Sequence, residues 1–400
     1  MRTAMPLPPI DARSHAARVQ RAMRASGLDA LILHKAQNIA YLSGFNPIIQ
    51  SHLMALILPA EGEGTLIVHA LRERHARNEA AVPDIRLYGR WGKARPIGSS
   101  LFEAIRIVLG ERHLEAACLG FERDHLPVGL YEQLRAALPG CRLVDAGSIL
   151  AQARAVKSPE ELALIRAAAR LADHGMETVL RTLPARPREI DVAQRAEIAM
   201  RELWMRDYPG EELVDFGSTE GGIFSALWCY VLAGDHMNCY ADCASARPIR
   251  DGDLVMSVIW TACRGYHAEN ERTAGVGPMR PEQLRAFDVV LEAREAARPA
   301  LRPGQTCAGV YAAARDVFVA HGFGDALPGR IGHGIGLGAH EPPSLGPGDD
   351  SVLEPGMVFS FEPAIRIGDL GGVQHSDTVV ITDGGCEFLT HTQGGRLLFP

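Results

Sequence analysis

The chain has 400 residues, 47% of them hydrophobic and 22% charged, an ordinary globular balance and enough length for two domains. A formal net charge of −7 argues against nucleic acid as a main partner. No apolar run approaches the ~20 residues that span a bilayer, and no long apolar core marks a signal peptide, so the expectation is a cytoplasmic protein with no membrane partner.

Residues 11–26 carry apolar side chains at helical spacing and stop at Gly27. Residues 28–34, 53–58 and 65–69 predict strands, the last two separated by a turn between Pro59 and Gly64. Helices follow near 100–110 and 128–138, which makes residues 1–155 an α/β domain. Ser158-Pro159-Glu160-Glu161 then reads as a strong helix start, with Ser as N-cap, Pro in the first helical position and Glu in the third. Further helices are expected at 187–201, 281–297 and 306–321, and strands at 254–260, 357–361 and 377–382. Helices beside a mostly antiparallel sheet indicate an α+β domain over residues 156–400. The eight cysteines include no Cys-x-x-Cys pair, which argues against a structural zinc site and for small buried thiols in a reducing compartment. Cys239 and Cys263 are weak candidates for a nucleophile, since a packed thiol is the commoner use.

Several short motifs occur in a fixed order: Ile39-Ala40-Tyr41-Leu42-Ser43-Gly44-Phe45, Gly252-Asp253-Leu254-Val255, Glu271-Arg272-Thr273, Gly332-His333-Gly334-Ile335-Gly336, His340-Glu341-Pro342-Pro343, Leu353-Glu354-Pro355-Gly356-Met357 and Ser360-Phe361-Glu362-Pro363. Over nearly its whole length the chain resembles the creatinase, prolidase and aminopeptidase P family, the pita-bread hydrolases. The resemblance implies an α/β N-terminal domain, a pita-bread catalytic domain and a homodimer. It also implies two metals on five ligands, and here the ligand set is reduced. The first Asp position is Val258, the second is Glu269, the histidine is His333, the next carboxylate is Glu362, and Ser376 stands where a last Glu belongs. A further family histidine falls at Ala241. Two cations close together need bridging carboxylates to offset their repulsion, and neither valine nor serine supplies one. A single ion on Glu269, His333 and Glu362 stays chemically feasible.

His267, Glu269 and Glu271 recur at every second residue, so on a strand they share one face. Converging carboxyl and imidazole groups shift one another's pKa and can supply acid and base near neutral pH without a cation. The creatinase branch of the family resembles this chain in having lost metal ligands. From this follows the expectation of a metal-independent, cofactor-free hydrolase that cleaves a C–N bond of a small polar nitrogenous molecule. His267, Glu269, Glu271, His333 and Glu362 are expected to be catalytic. His236 and His340 would bind substrate, with Gln50 and His52 lent across a dimer. The alternatives are a Xaa-Pro dipeptidase or aminopeptidase with one metal, a lyase, or a pita-bread domain kept for binding alone.

Overall fold

The computed structural model describes residues 6–48, 52–214, 216, 226–239 and 242–400. Gln50 and Ala241 lie outside the described residues. The chain divides into two compact units, one built mainly on Pro9–Arg154, the other mainly on Ala155–Asp215 and Ser225–Pro400. Among the described residues no helix is long and apolar enough to cross a membrane.

The first unit is a six-stranded mixed sheet. Its strands are β1 (Ala30–Leu33), β2 (Ala55–Pro59), β3 (Thr65–His69), β4 (Asp84–Tyr88), β5 (Cys118–Phe121) and β6 (Arg142–Asp145), in the order β4-β3-β2-β1-β5-β6. Every residue of β1 and β2 is buried, the pattern of a sheet covered on both faces. Asp11 and Ser100 cap the helices Ala12–Ala25 and Leu101–Glu111 by accepting from Ser14 N and Glu103 N, as their positions before helical apolar spacing predict. Ile32, Ile57, Ile67, Ile105 and Leu119 share one core.

The second unit opens on the helix Pro159–Thr182, where Ser158 and Glu161 form the reciprocal capping box read from the sequence. This helix lies across β8 (Leu254–Cys263) and β9 (Tyr266–Val276), and Thr261 Oγ1 donates to its Ala168 carbonyl at 2.7 Å. These two strands follow β7 (Leu227–Ala233), and β8 and β9 form a hairpin closed by Arg264 and Gly265, both at positive φ. The sheet continues through β10 (His333–Gly334), β11 (Glu341–Ser344), β12 (Val358–Phe361) and β15 (Ser376–Thr382), in the order β11-β10-β12-β15-β9-β8-β7, and a separate ribbon pairs β13 (Ala364–Arg366) with β14 (Gly372–Gln374). All these pairings are antiparallel. The expected pita-bread α+β architecture is therefore present.

Register fixes what the sheet can present. Tyr230 faces Val258, Val258 faces Glu271, and Glu271 faces Ser376, so these four stand in one row across four strands. Trp228, Trp260 and Glu269 form the neighbouring row on the same face. Asn270, Arg272 and Asp377 point the other way. There Arg272 Nη2 donates to Asp377 Oδ1 at 2.7 Å, Arg294 Nη2 binds Asp377 Oδ2, and Thr390 Oγ1 donates to Asp377 Oδ1 at 2.8 Å. This buried charge network lies behind the strand that carries Ser376.

Candidate active site

Glu269 and Glu271 leave β9 two residues apart and line a cavity of about 730 Å³. Its wall also includes Trp228, Tyr230, Trp260, His340, Glu362 and Gln374, with Arg330 and Arg366 as cations. His333 lies on β10, whose Gly334 is forced by close approach: a Cβ there would stand 2.7 Å from the Glu341 carbonyl oxygen. Glycine at this point lets β10 hold His333 between β11 and β12.

Glu269, His333 and Glu362 each offer a ligand atom, and these atoms lie within 4.8 Å of one another. His333 Nδ1 is 3.1 Å from the Gly334 carbonyl oxygen, so Nδ1 carries a proton and Nε2 is the nitrogen left to face the carboxylates. That Nε2 is buried, makes no hydrogen bond, and lies 3.4 Å from Glu269 Oε2 and 3.7 Å from Glu362 Oε1. An unsatisfied imidazole nitrogen facing two carboxylates, with its other nitrogen anchored on a backbone carbonyl, matches the donor set and outer support of a single divalent ion. Two ions do not fit. Val258 is fully buried and offers no ligand atom, and Ser376 offers a neutral hydroxyl, bonded to Glu269 Oε1 at 2.6 Å, where a second ion would need a bridging carboxylate.

The electrostatics follow from crowding. Burial pushes Glu269 up, but the His333 imidazole and the Ser376 hydroxyl outweigh it and hold the carboxyl below its usual range. Burial and the Glu269 and Glu362 charges push Glu271 well above that range. Burial, then Glu269, raises Glu362 to about 8. Burial lowers His333, but Glu269 and Glu362 overcome it and its net shift is upward. Gln374 Nε2 binds Glu271 Oε2 and reaches Glu362 Oε2 at 3.4 Å, tying two carboxyls that would otherwise repel.

The remaining candidates separate. His340 lines the cavity, its ring 4.0 Å from that of His333 and 4.8 Å from that of Trp260. Burial, then His333, lowers it to about 4. His267 is buried with Nδ1 3.0 Å from the Gly336 carbonyl oxygen, and the cavity wall does not include it. His236 is bound through Nδ1 to Glu189 and is grouped with Cys239 and Asp242 instead of the cavity residues. His52 belongs to the first unit, where it stacks on His69 with ring centroids 4.1 Å apart. His375 lies on the face opposite Ser376, as strand alternation requires; it is buried edge-on to Phe287, and burial holds its pKa well below the usual value. All eight cysteines are free thiols, and Cys239 and Cys243 are exposed, against the expectation of buried thiols.

Gln374, Arg330, Arg366 and the three aromatic residues were not read from the sequence. Gln374 had a usable signal, since it stands two residues before Ser376 and so shares its face. The aromatic wall needed the pairing of β7 with β8, and β7 was not expected as a strand.

Comparison with known proteins bears on the function. A model of metallopeptidase family M24 matches residues 163–383, and a model of the creatinase/prolidase N-terminal domain matches residues 16–156. The chain is 31% identical over 395 residues to a Mycobacterium tuberculosis protein described as probable dipeptidase PepE, covering 98% of each. It is 27% identical over 371 residues to a Xaa-Pro dipeptidase of Pyrococcus horikoshii, covering 93% of this chain and 95% of that one. Among solved structures, dipeptidase PepE of Mycobacterium ulcerans superposes with a TM-score of 0.80 at 27% identity, covering 97% of this chain and 98% of that one. These relatives overturn the expectation of a metal-independent, creatinase-like hydrolase of small nitrogenous compounds. The physical reason is visible in the site. Val258 and Ser376 bring no carboxylate, yet Glu269, His333 and Glu362 remain a three-residue donor set whose buried imidazole Nε2 makes no hydrogen bond.

Proposed function

From the fact that the chain belongs to metallopeptidase family M24, we propose that it hydrolyses the peptide bond of short peptides, Xaa-Pro dipeptides first among them, with a single divalent ion on Glu269, His333 and Glu362. The observation that carries the metal assignment is the buried His333 Nε2, without a hydrogen bond and directed at both carboxylates. Such an ion would supply Lewis acidity for the scissile carbonyl and for water.

This chain's own side chains do the rest. Ser376 holds Glu269 in place by its hydroxyl, and the Gly334 carbonyl fixes the ring of His333. His340, neutral at pH 7 because its pKa is about 4, reaches over the cavity as a hydrogen-bond donor for the carbonyl oxygen or the departing nitrogen. Trp228, Tyr230 and Trp260, their rings set at angles to one another, offer an apolar aromatic wall suited to a pyrrolidine ring. Arg330 and Arg366 suit a terminal carboxylate. A cavity of about 730 Å³ is ample for a dipeptide.

The test is proline release from Xaa-Pro dipeptides by chelator-treated protein, before and after adding manganese or zinc, with metal content measured by elemental analysis. Activity that vanishes with chelator and returns at one bound ion at the Glu269, His333 and Glu362 set is the expected result. Turnover indifferent to chelator, or no turnover on any Xaa-Pro dipeptide by the metal-loaded chain, overturns the reading.

A further inference from the structure

A second cluster of donors lies outside the cavity. His236, Cys239 and Asp242 each offer an atom within 4.8 Å of the others. Their spacing is three residues and three residues, and the backbone makes that spacing count. Cys239 N donates to the His236 carbonyl at 2.9 Å, and Asp242 N donates to the Cys239 carbonyl at 3.0 Å. The 3₁₀ segment itself ends at Asn238, and these two bonds fold the chain beyond it back on itself. An imidazole, a thiol and a carboxylate are thus brought together.

The imidazole is also held from behind. Glu189 is the first residue of the helix Glu189–Asp207, and its side chain is fully buried. Its carboxylate accepts from Ala233 N at 2.7 Å, Ser245 N at 3.0 Å, Ser245 Oγ at 2.6 Å and His236 Nδ1 at 2.8 Å. One buried carboxylate therefore pins both ends of the segment and fixes the ring. With Nδ1 donating to Glu189, His236 Nε2 faces Asp242 Oδ2 at 3.4 Å. A carboxylate that orients a histidine whose other nitrogen meets a thiol and a second carboxylate is the outer support of a metal ligand. Exposed Cys239 and Asp242 side chains leave this site open to solvent.

We propose that His236, Cys239 and Asp242 form a second metal site, distinct from the catalytic one, for a borderline-soft divalent cation of the zinc class. The mixed nitrogen, sulfur and oxygen donors suit zinc or cobalt and disfavour magnesium and calcium, which take oxygen alone. Absence of a Cys-x-x-Cys pair does not oppose it, because only one of the donors is a cysteine.

Cobalt(II) separates the two sites in the full chain. The Glu269, His333 and Glu362 set has no sulfur, so thiolate-to-cobalt charge-transfer absorption reports only the second site. With cysteines kept reduced, the expected result is a near-ultraviolet band that saturates with cobalt and collapses on adding zinc. Cys239→Ser abolishes it at an unchanged thermal midpoint, His236→Ala weakens it, and Glu189→Gln raises the cobalt Kd about tenfold or more. Glu269→Gln leaves the band in place. No band at saturating cobalt overturns the proposal, as does a band of equal intensity in Cys239→Ser or one lost only in Cys243→Ser.

Discussion

Ser376 donates its hydroxyl hydrogen to Glu269 Oε1 at 2.6 Å, inside a site where both residues are buried. A serine hydroxyl thus supports a neighbouring carboxylate. Ser376→Ala would leave Glu269 Oε1 short of a donor in a dry environment. The expected cost is about 1–3 kcal/mol in chemical denaturation of the metal-free chain. Metal affinity at the site should fall roughly 10–100-fold, as for other outer-sphere partners, and calorimetric titration would show it. An unchanged affinity would mean that Glu269 is held by other groups.

Glu362 makes the metal-free chain sensitive to alkaline pH. Its folded pKa of about 8 lies above the ordinary value of 4.5, so the folded state binds the proton more tightly than the unfolded state does. Stability from this group is complete below pH 4.5 and is lost as pH rises towards 8. Glu271, also raised, acts in the same sense, and so does His333 above pH 6.5. Glu269, held low, acts at the acid end instead. Thermal midpoints measured in chelator should therefore fall between about pH 5 and 8. Glu362→Gln, which cannot ionise, should flatten that decline, and an equally steep profile in the variant would remove Glu362 as its source.

Much of this fold was legible because its signals are local. The Ser158 capping box, the helix over 281–297 and the strand over 65–69 need only near neighbours in sequence, and all appear as read. The placement of Glu269 and Glu271 followed from alternation along one strand. His267 obeys the same alternation, yet its ring turns to the Gly336 carbonyl 69 residues away, a partner that no spacing rule reveals. His236 shows the limit more sharply. Its anchor, Glu189, lies 47 residues earlier on a helix. The Arg294 clamp on Asp377 spans 83 residues. The absence of a carboxylate at Val258 and Ser376 was readable from the sequence. Its consequence was not, because the unsatisfied Nε2 of His333 exists only once three strands are assembled.

Asp377 is the buried anchor behind the site. It accepts from Arg272 and Thr390 and pairs with Arg294, itself tied to the Phe361 carbonyl at 2.8 Å. Removing one partner from a buried charge network strands the others. Asp377→Ala should therefore destabilise the chain by about 3–5 kcal/mol, read from urea or guanidinium denaturation. A loss below about 1 kcal/mol would show that water reaches Arg272 and Arg294 and that the network is effectively exposed.

His340 gives the most direct test of the proposed chemistry. Its ring lies 4.0 Å from that of His333, and burial with that neighbour keeps it uncharged down to about pH 4. A neutral imidazole at pH 7 is a hydrogen-bond donor that brings no positive charge to compete with an ion beside it. If it stabilises charge developing on the scissile carbonyl, its contribution belongs to the transition state more than to substrate binding. His340→Ala should then lower kcat on a Xaa-Pro dipeptide by about 10²–10³-fold with little change in KM. Metal content should stay as in the parent chain, because the ligand atoms of Glu269, His333 and Glu362 are untouched. His340→Gln, which keeps a donor, should recover part of the rate. A rise in KM at constant kcat would instead place His340 in uniform substrate binding and take it out of the catalytic step.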